Sequence, residues 1–303
     1  MFNTPFIDNK YEKMFKKFKK RIDKISLVVP AAAVLILFSI YPLIYSFRLI
    51  FCKWILSRPD PPVFVGLSNI KSILLDVRFW NSLKVTLIIL IIGVSVEFIL
   101  GLFLALLFKG KVFGRRILVS LIIIPIMISP MVIGIIWRFM LNPEIGIINY
   151  FLKFFGIIEP IIWLGNVKYA LPVIILIDIW QWTPFMFLIF LSGMQGIPTT
   201  LYEAAEVDGA SELGLVRHIT IPTLKPIMFI GIIIRSIDSF KLFDLVYILT
   251  RGGPVNSTET ASLYTYKVGF NFFNMGEASA MSYFLLIIVT ILAQMFISKR
   301  EII

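Results

Sequence analysis

The side chains able to do chemistry in this chain are few, and they sit in greasy surroundings. Glu97 stands alone in one apolar run, Asp178 and Gln181 are three apart in another, and Arg235, Asp238, Lys241 and Asp244 recur at three-residue steps in a third. An ionised group at hydrocarbon depth costs roughly 2.5 kcal/mol or more, so each needs a partner or a water-filled cavity. Residues three apart share a helical face. Asp178, Gln181 and Asp238 are therefore candidates for the lining of a solute path. The plainer alternatives are an interhelical hydrogen bond for Glu97, helix packing for Asp178 and Gln181, and a self-neutralised ladder along one helix for the Arg235 series.

Other chemistry finds little support. Asp178 with Asp238 is the only faint match to a catalytic carboxylate pair, and no nucleophile and base accompany it. With one histidine, His218, and one cysteine, Cys52, a His/Cys metal site and an internal disulfide are both excluded, and no metal is expected. Gly110-Lys111 is followed by Val112, so no phosphate-cradling G-x-x-x-x-G-K-[ST] loop is present and no cofactor is expected on this chain.

The elements that position these residues are membrane spans. Of 303 residues 58% are hydrophobic and 16% charged, a composition far from that of soluble domains. The net charge of +11 does not signal nucleic acid, because the basic residues cluster beside apolar runs, where the lipid bilayer and topology account for them. An all-α, polytopic protein with six transmembrane helices is expected, the spans covering Leu27 to Ile50, Leu83 to Phe108, Ile117 to Met140, Leu171 to Leu191, Pro226 to Leu249 and Ala278 to Ile297. Pro125 and Pro130 should break the third. Ile145 to Trp163 is too short and interrupted to cross. The basic N-terminal run from Lys10 to Lys24, the cluster Lys109 to Arg116 and the pair Lys299-Arg300 place both termini in the cytoplasm of a cell membrane protein.

Between the fourth and fifth spans lies a polar island, Leu201 to Lys225. Leu201 to Val207 reads as a helix with two adjacent alanines, Asp208-Gly209 as its end, Ser211 as the cap of a second short helix, and Pro222 as the stop of that helix. A helix, a bend and a helix make a knob suited to a groove on another protein.

Glu203-Ala204-Ala205, Asp208-Gly209-Ala210, Ile219-Thr220-Ile221-Pro222 and Pro226 resemble the EAA loop of ABC importer permeases, with Val216 where that pattern often has an aromatic. Arg115-Arg116, Pro125, Ser129-Pro130, Gly134, Trp137-Arg138, Asn142-Pro143 and Gly146 recur in the same order in the sugar-type permeases. So does the Leu249-Thr-Arg-Gly252-Gly253-Pro254 turn followed by Thr258-Glu-Thr260. The resemblance covers roughly Gly66 to the end. It implies the type-1 importer permease (MetI-like) architecture. Residues 1–78 would form a leading segment with the first span, and 79–298 the permease domain. It further implies a second permease subunit, two ATPase subunits that carry ATP and magnesium, and an extracytoplasmic substrate-binding protein. The solute would be a carbohydrate, a polyol or glycerol phosphate, and the chain itself would not be an enzyme. A secondary transporter or channel without an ATPase partner is the alternative, and a membrane-embedded enzyme ranks below it.

Overall fold

The computed structural model describes residues 29–110 and 112–298; the basic run from Lys10 to Lys24 and the pair Lys299-Arg300 lie outside them. Helix α1 spans Val29–Leu49 and widens to a π-turn over Ile36–Ile40, just before Pro42, whose ring cannot accept the regular α-helical geometry on its amino side. Two short antiparallel strands, β1 (Cys52–Lys53) and β2 (Val63–Phe64), and helix α2 (Ser68–Leu75) follow.

Helix α3 (Val77–Leu107) starts at Asp76, whose carboxylate accepts the Arg78 amide at 2.8 Å, a side-chain cap that satisfies one of the free donors of the first turn. The expected third span is two helices, α4 (Arg115–Met127) and α5 (Pro130–Met140), meeting at 95°. The break falls at Ile128-Ser129, where Pro130 removes a donor and pushes Ser129 into extended backbone. α6 (Ile147–Phe154) is short, as expected for a stretch that does not cross. α7 (Val167–Gln195) carries Pro172 and Pro184 inside it.

Next come α8 (Thr199–Val207), α9 (Glu212–Leu215), a π-turn at Val216–Thr220 and α10 (Ile221–Phe240). The chain closes with α11 (Asp244–Leu249), α12 (Ala261–Tyr266) and α13 (Met275–Ser298). Among the described residues, five helical stretches are long and apolar enough to cross a membrane, and the bent α4–α5 pair makes a sixth if counted as one span.

Helices α3 and α7 form the centre. A Cβ at Gly101 would lie 2.5 Å from Met186 Cβ, so only glycine permits this separation. Around it Ala105, Phe108, Met186, Phe187 and Phe190 are buried, and α10 joins through Leu224 and Met228. Phe98 and Phe108 meet Phe190 and Phe187 edge-on at 5.3 and 5.5 Å, an arrangement favoured by the ring quadrupoles. In bilayer-embedded packing such close contacts supply the attraction that water would supply elsewhere. α5, α7 and α11 share a second cluster built on Ile133, Ile174, Ile177 and Leu245.

One expectation is corrected here. Pro222 does not stop the second helix of the polar island. The chain passes from α9 through the π-turn into α10 with Pro222 in its first turn, where a missing N–H leaves no hydrogen bond unmade. The helical stretch that contains the fifth span accordingly runs Glu212–Leu249.

Candidate functional site

Three constellations stand out, the deepest of them on Arg235. Its side chain is 1% exposed. Nε and Nη2 donate to the two oxygens of Glu97 at 2.7 and 3.0 Å, Nη2 also to Asp178 at 2.5 Å, and Nη1 to Asp238 at 3.1 Å. The guanidinium lies 4.7 Å from the Trp182 ring centroid. A planar fork with five donors can make these four hydrogen bonds to acceptors on three helices at once, whereas a lysine has only three donors. Glu97, which needed a partner, has one, 138 positions away.

The Arg235 series is therefore no ladder along one helix. α10 ends at Phe240, so Lys241 and Asp244 leave its register. Only Asp238 pairs with Arg235 from that helix, and Asp238 is 51% exposed. Asp178 and Gln181 are buried. The Gln181 amide donates to the Ile128 carbonyl at 3.3 Å, serving the backbone at the α4–α5 break. Asp178 Oδ1 and Gln181 Oε1 keep unused acceptor capacity among the described residues.

The second constellation is the knob. At the end of α8 the Gly209 amide donates to Glu206 O at 3.0 Å and the Ala210 amide to Ala205 O at 2.9 Å, with Gly209 at φ +83°. This paired closure needs a left-handed residue, which glycine adopts without cost. Ser211 Oγ then accepts the Gly214 amide at 3.3 Å, as a capping serine should. Glu203, Ala204, Asp208, Gly209, Ala210 and Pro222 are exposed, and Ala205 and Ile219 half-buried. Val207 and Leu213 project at 88% and 77% exposure. Behind the knob, Tyr202 OH bonds Thr220 Oγ1 at 3.0 Å, and Lys109 Nζ lies 3.7 Å from the Tyr202 ring centroid.

The third is the turn Gly252-Gly253-Pro254. Thr258 Oγ1 bonds Thr250 Oγ1 and donates to Gly253 O, each at 2.7 Å. Gly252 has φ +86°, and a Cβ there would press on Glu259 and Lys267. Glu259, fully buried, is gripped by Arg78 at 2.7 and 2.9 Å and by Lys267 at 2.6 Å. Next to it, Tyr264 donates to Asp76 at 2.6 Å. Burial and that carboxylate raise the Tyr264 phenol above its ordinary value, so it stays a donor. Thus the turn is clamped to the start of α3.

The sequence pointed to the buried charges, the knob and the turn, but not to Trp182, Lys109, Tyr202, Arg78 or Lys267 as their supports. A cation beside an apolar run was the only signal, and it does not name a partner. Among the described residues no group of three or more metal-ligating side chains occurs.

Residues 97–302 match the family described as binding-protein-dependent transport system inner membrane component. A probable ABC transporter permease protein of Sinorhizobium fredii is 38% identical over 276 residues, covering 89% of each chain. The trehalose/maltose transport system permease protein of Thermococcus litoralis is 36% identical over 263 residues, covering 86% of this chain and 87% of that one. In fold, the chain is similar to one from a bacterial ABC transporter for import of the acidic polysaccharide alginate, with a TM-score of 0.84, 20% identity and coverage of 96% and 99%. This chain belongs to the family of inner membrane components of binding-protein-dependent transport systems, the permease subunits of ABC importers.

Proposed function

We propose that the chain is the transmembrane subunit of an ATP-driven importer for a carbohydrate or related polyol or glycerol-phosphate solute. It would work by alternating access, with both termini in the cytoplasm. A second permease subunit completes the path, two ATPase subunits dock on the cytoplasmic knobs and carry ATP and magnesium, and a substrate-binding protein delivers solute to the opposite face. The Gly252-Gly253-Pro254 turn belongs to that outer face. Rocking of rigid helix groups about a fixed site converts ATPase closure into a change of access.

The knob carries this reading. A polar, capped helix–bend–helix that exposes Glu203 together with Val207 and Leu213 has the form of a partner-docking element: apolar anchors for a groove and a carboxylate for charge-assisted hydrogen bonds. Of the path candidates, half-exposed Asp238 is the one whose exposure supports contact with solute, and the unused acceptors of buried Asp178 and Gln181 support a role beside it.

The test is ATPase recruitment and substrate-stimulated hydrolysis in reconstituted complexes carrying Gly209→Val or Glu203→Ala, beside an expression control. A β-branched side chain at φ +83° is strained, so Gly209→Val should re-aim α9 and weaken recruitment while the spans still fold. Normal recruitment and stimulation in both variants would sink the docking role.

A further inference from the structure

Where α1 ends, its seam with α13 opens into a cleft of about 250 Å³ that α2 closes from the third side. Phe47, Phe51, Ile70, Leu74, Phe284 and Ile287 are among its walls, and the one hydroxyl of the lining, on Tyr283, is spent on the Leu43 carbonyl. A wall with no free polar group has nothing to offer a sugar. We propose that this cleft holds an acyl chain of a phospholipid with a net negative headgroup, and that Arg48 and Lys71 hold that headgroup. Such a site needs only residence in a membrane, whatever the solute.

Aromatic contacts give the depth. Phe284 of the wall meets Trp80 edge-on at 6.0 Å, and exposed Trp80 donates its indole N–H to Leu74 O at 3.0 Å. On α1, Tyr45 meets Trp54 at 6.4 Å. Tryptophan and tyrosine gather where hydrocarbon gives way to headgroups, so the mouth of the cleft lies at that level. Trp80 stands in the first turn of the 31-residue helix α3, whereas Lys109, which touches the knob through Tyr202, lies just past its other end. Cleft and knob therefore belong to opposite membrane faces. Around the mouth Leu67, Leu75 and Val77 remain exposed, an apolar rim suited to the boundary between headgroups and acyl chains.

Charge selects the headgroup. Arg48 follows wall residue Phe47 in the last turn of α1, and Lys71 follows wall residue Ile70 on α2. Both are exposed, and neither pairs with a carboxylate among the described residues. Long side chains of this kind lay their stems on apolar surface and lift the charge to the headgroup layer. The carboxyl groups bordering these elements are engaged within the fold, Asp76 with Tyr264 and the Arg78 amide, Glu277 with Ser72 and Lys53. Two cations without counter-charge beside an apolar slot match a lipid phosphate, and a zwitterionic headgroup, which brings its own cation, gains less.

The test uses the full chain in phosphatidylcholine nanodiscs doped with equal traces of phosphatidylglycerol and phosphatidylcholine, each carrying a photoactivatable diazirine at the same acyl position. Adducts are located by peptide mass mapping. The ratio of phosphatidylglycerol to phosphatidylcholine adducts on residues 47–51 and 280–287 should exceed that at exposed mid-span Leu37 and Phe38 of α1 roughly fivefold or more. Arg48→Gln combined with Lys71→Gln should return the ratio to the mid-span value. Ile287→Trp, at a half-exposed wall position, should lower labelling of the wall by both lipids. Equal ratios at wall and mid-span in the parent overturn the proposal, as does a preference that survives loss of both charges or wall labelling unchanged by Ile287→Trp. So does an unlabelled wall, the result if another protein segment fills the cleft.

Discussion

The ammonium of Lys109 lies 3.7 Å from the ring centroid of Tyr202, while the hydroxyl of that ring bonds Thr220 at 3.0 Å. One aromatic side chain on α8 therefore ties the segment after α3 to the π-turn that opens α10. Thr220 is itself buried and donates to Leu215 O at 3.3 Å, and π-turns recur at functional positions because their wider turn relocates the residues that follow. This ring thus joins the knob to two spans.

Tyr202→Leu removes both contacts and should lower substrate-stimulated ATP hydrolysis several-fold while ATPase recruitment stays normal. Tyr202→Phe keeps the ring and should fall between. Lys109→Arg preserves the cation over the ring, a contact worth about 0.5–1 kcal/mol, and should behave as the parent, whereas Lys109→Met should not. Hydrolysis and recruitment measured side by side decide it: equal stimulation in Tyr202→Leu and the parent rules out transmission through this contact.

Arg235→Met leaves Glu97, Asp178 and Asp238 without their common cation. Removing one partner of a buried ionic cluster costs about 3–5 kcal/mol, so the purified variant should unfold at markedly lower temperature. The triple variant Glu97→Gln, Asp178→Asn, Arg235→Met should recover much of the loss, since the charge that remains, on Asp238, is half-exposed. An unchanged unfolding midpoint for Arg235→Met alone contradicts the geometry of the cluster.

Single cysteines at Arg115 and Ser211, in a Cys52→Ser background, should be shielded from a membrane-impermeant thiol reagent in intact cells. One at Asn256 should react. Labelling of Ser211→Cys in sealed cells would place the knob on the outer face and remove its access to a cytoplasmic ATPase.

Features written in adjacent residues were legible before any coordinates. The Gly209 bend, the Ser211 cap and the apolar spans depend on local backbone preferences, so a short window suffices to read them. Pro222 is ambiguous in sequence, because a proline that would end a helix interior is tolerated just after a π-turn, and that turn carries α9 on into α10. Glu97 and Asp178 were flagged by cost alone. Their partner lies 138 and 57 positions away, and burial cost says that a counter-charge exists without saying where. The 95° turn at Ile128-Ser129 shows the same limit: prolines announce a break, but its angle is set by what packs on either side.

Helix α1 touches the rest of the chain chiefly through α13, where Phe47 meets Tyr283 at 5.4 Å and the Tyr283 hydroxyl reaches the Leu43 carbonyl; its most apolar window buries 0% of its residues within the chain. Its docking partner is thus a helix made long after it. During translation α1 must wait in the bilayer without this contact until α13 has been made. This contact spans 240 positions, and a pairing between early and late helices closes only after the helices between them have settled. The α1–α13 seam therefore forms late, and a chain that stalls before Met275 leaves α1 without it.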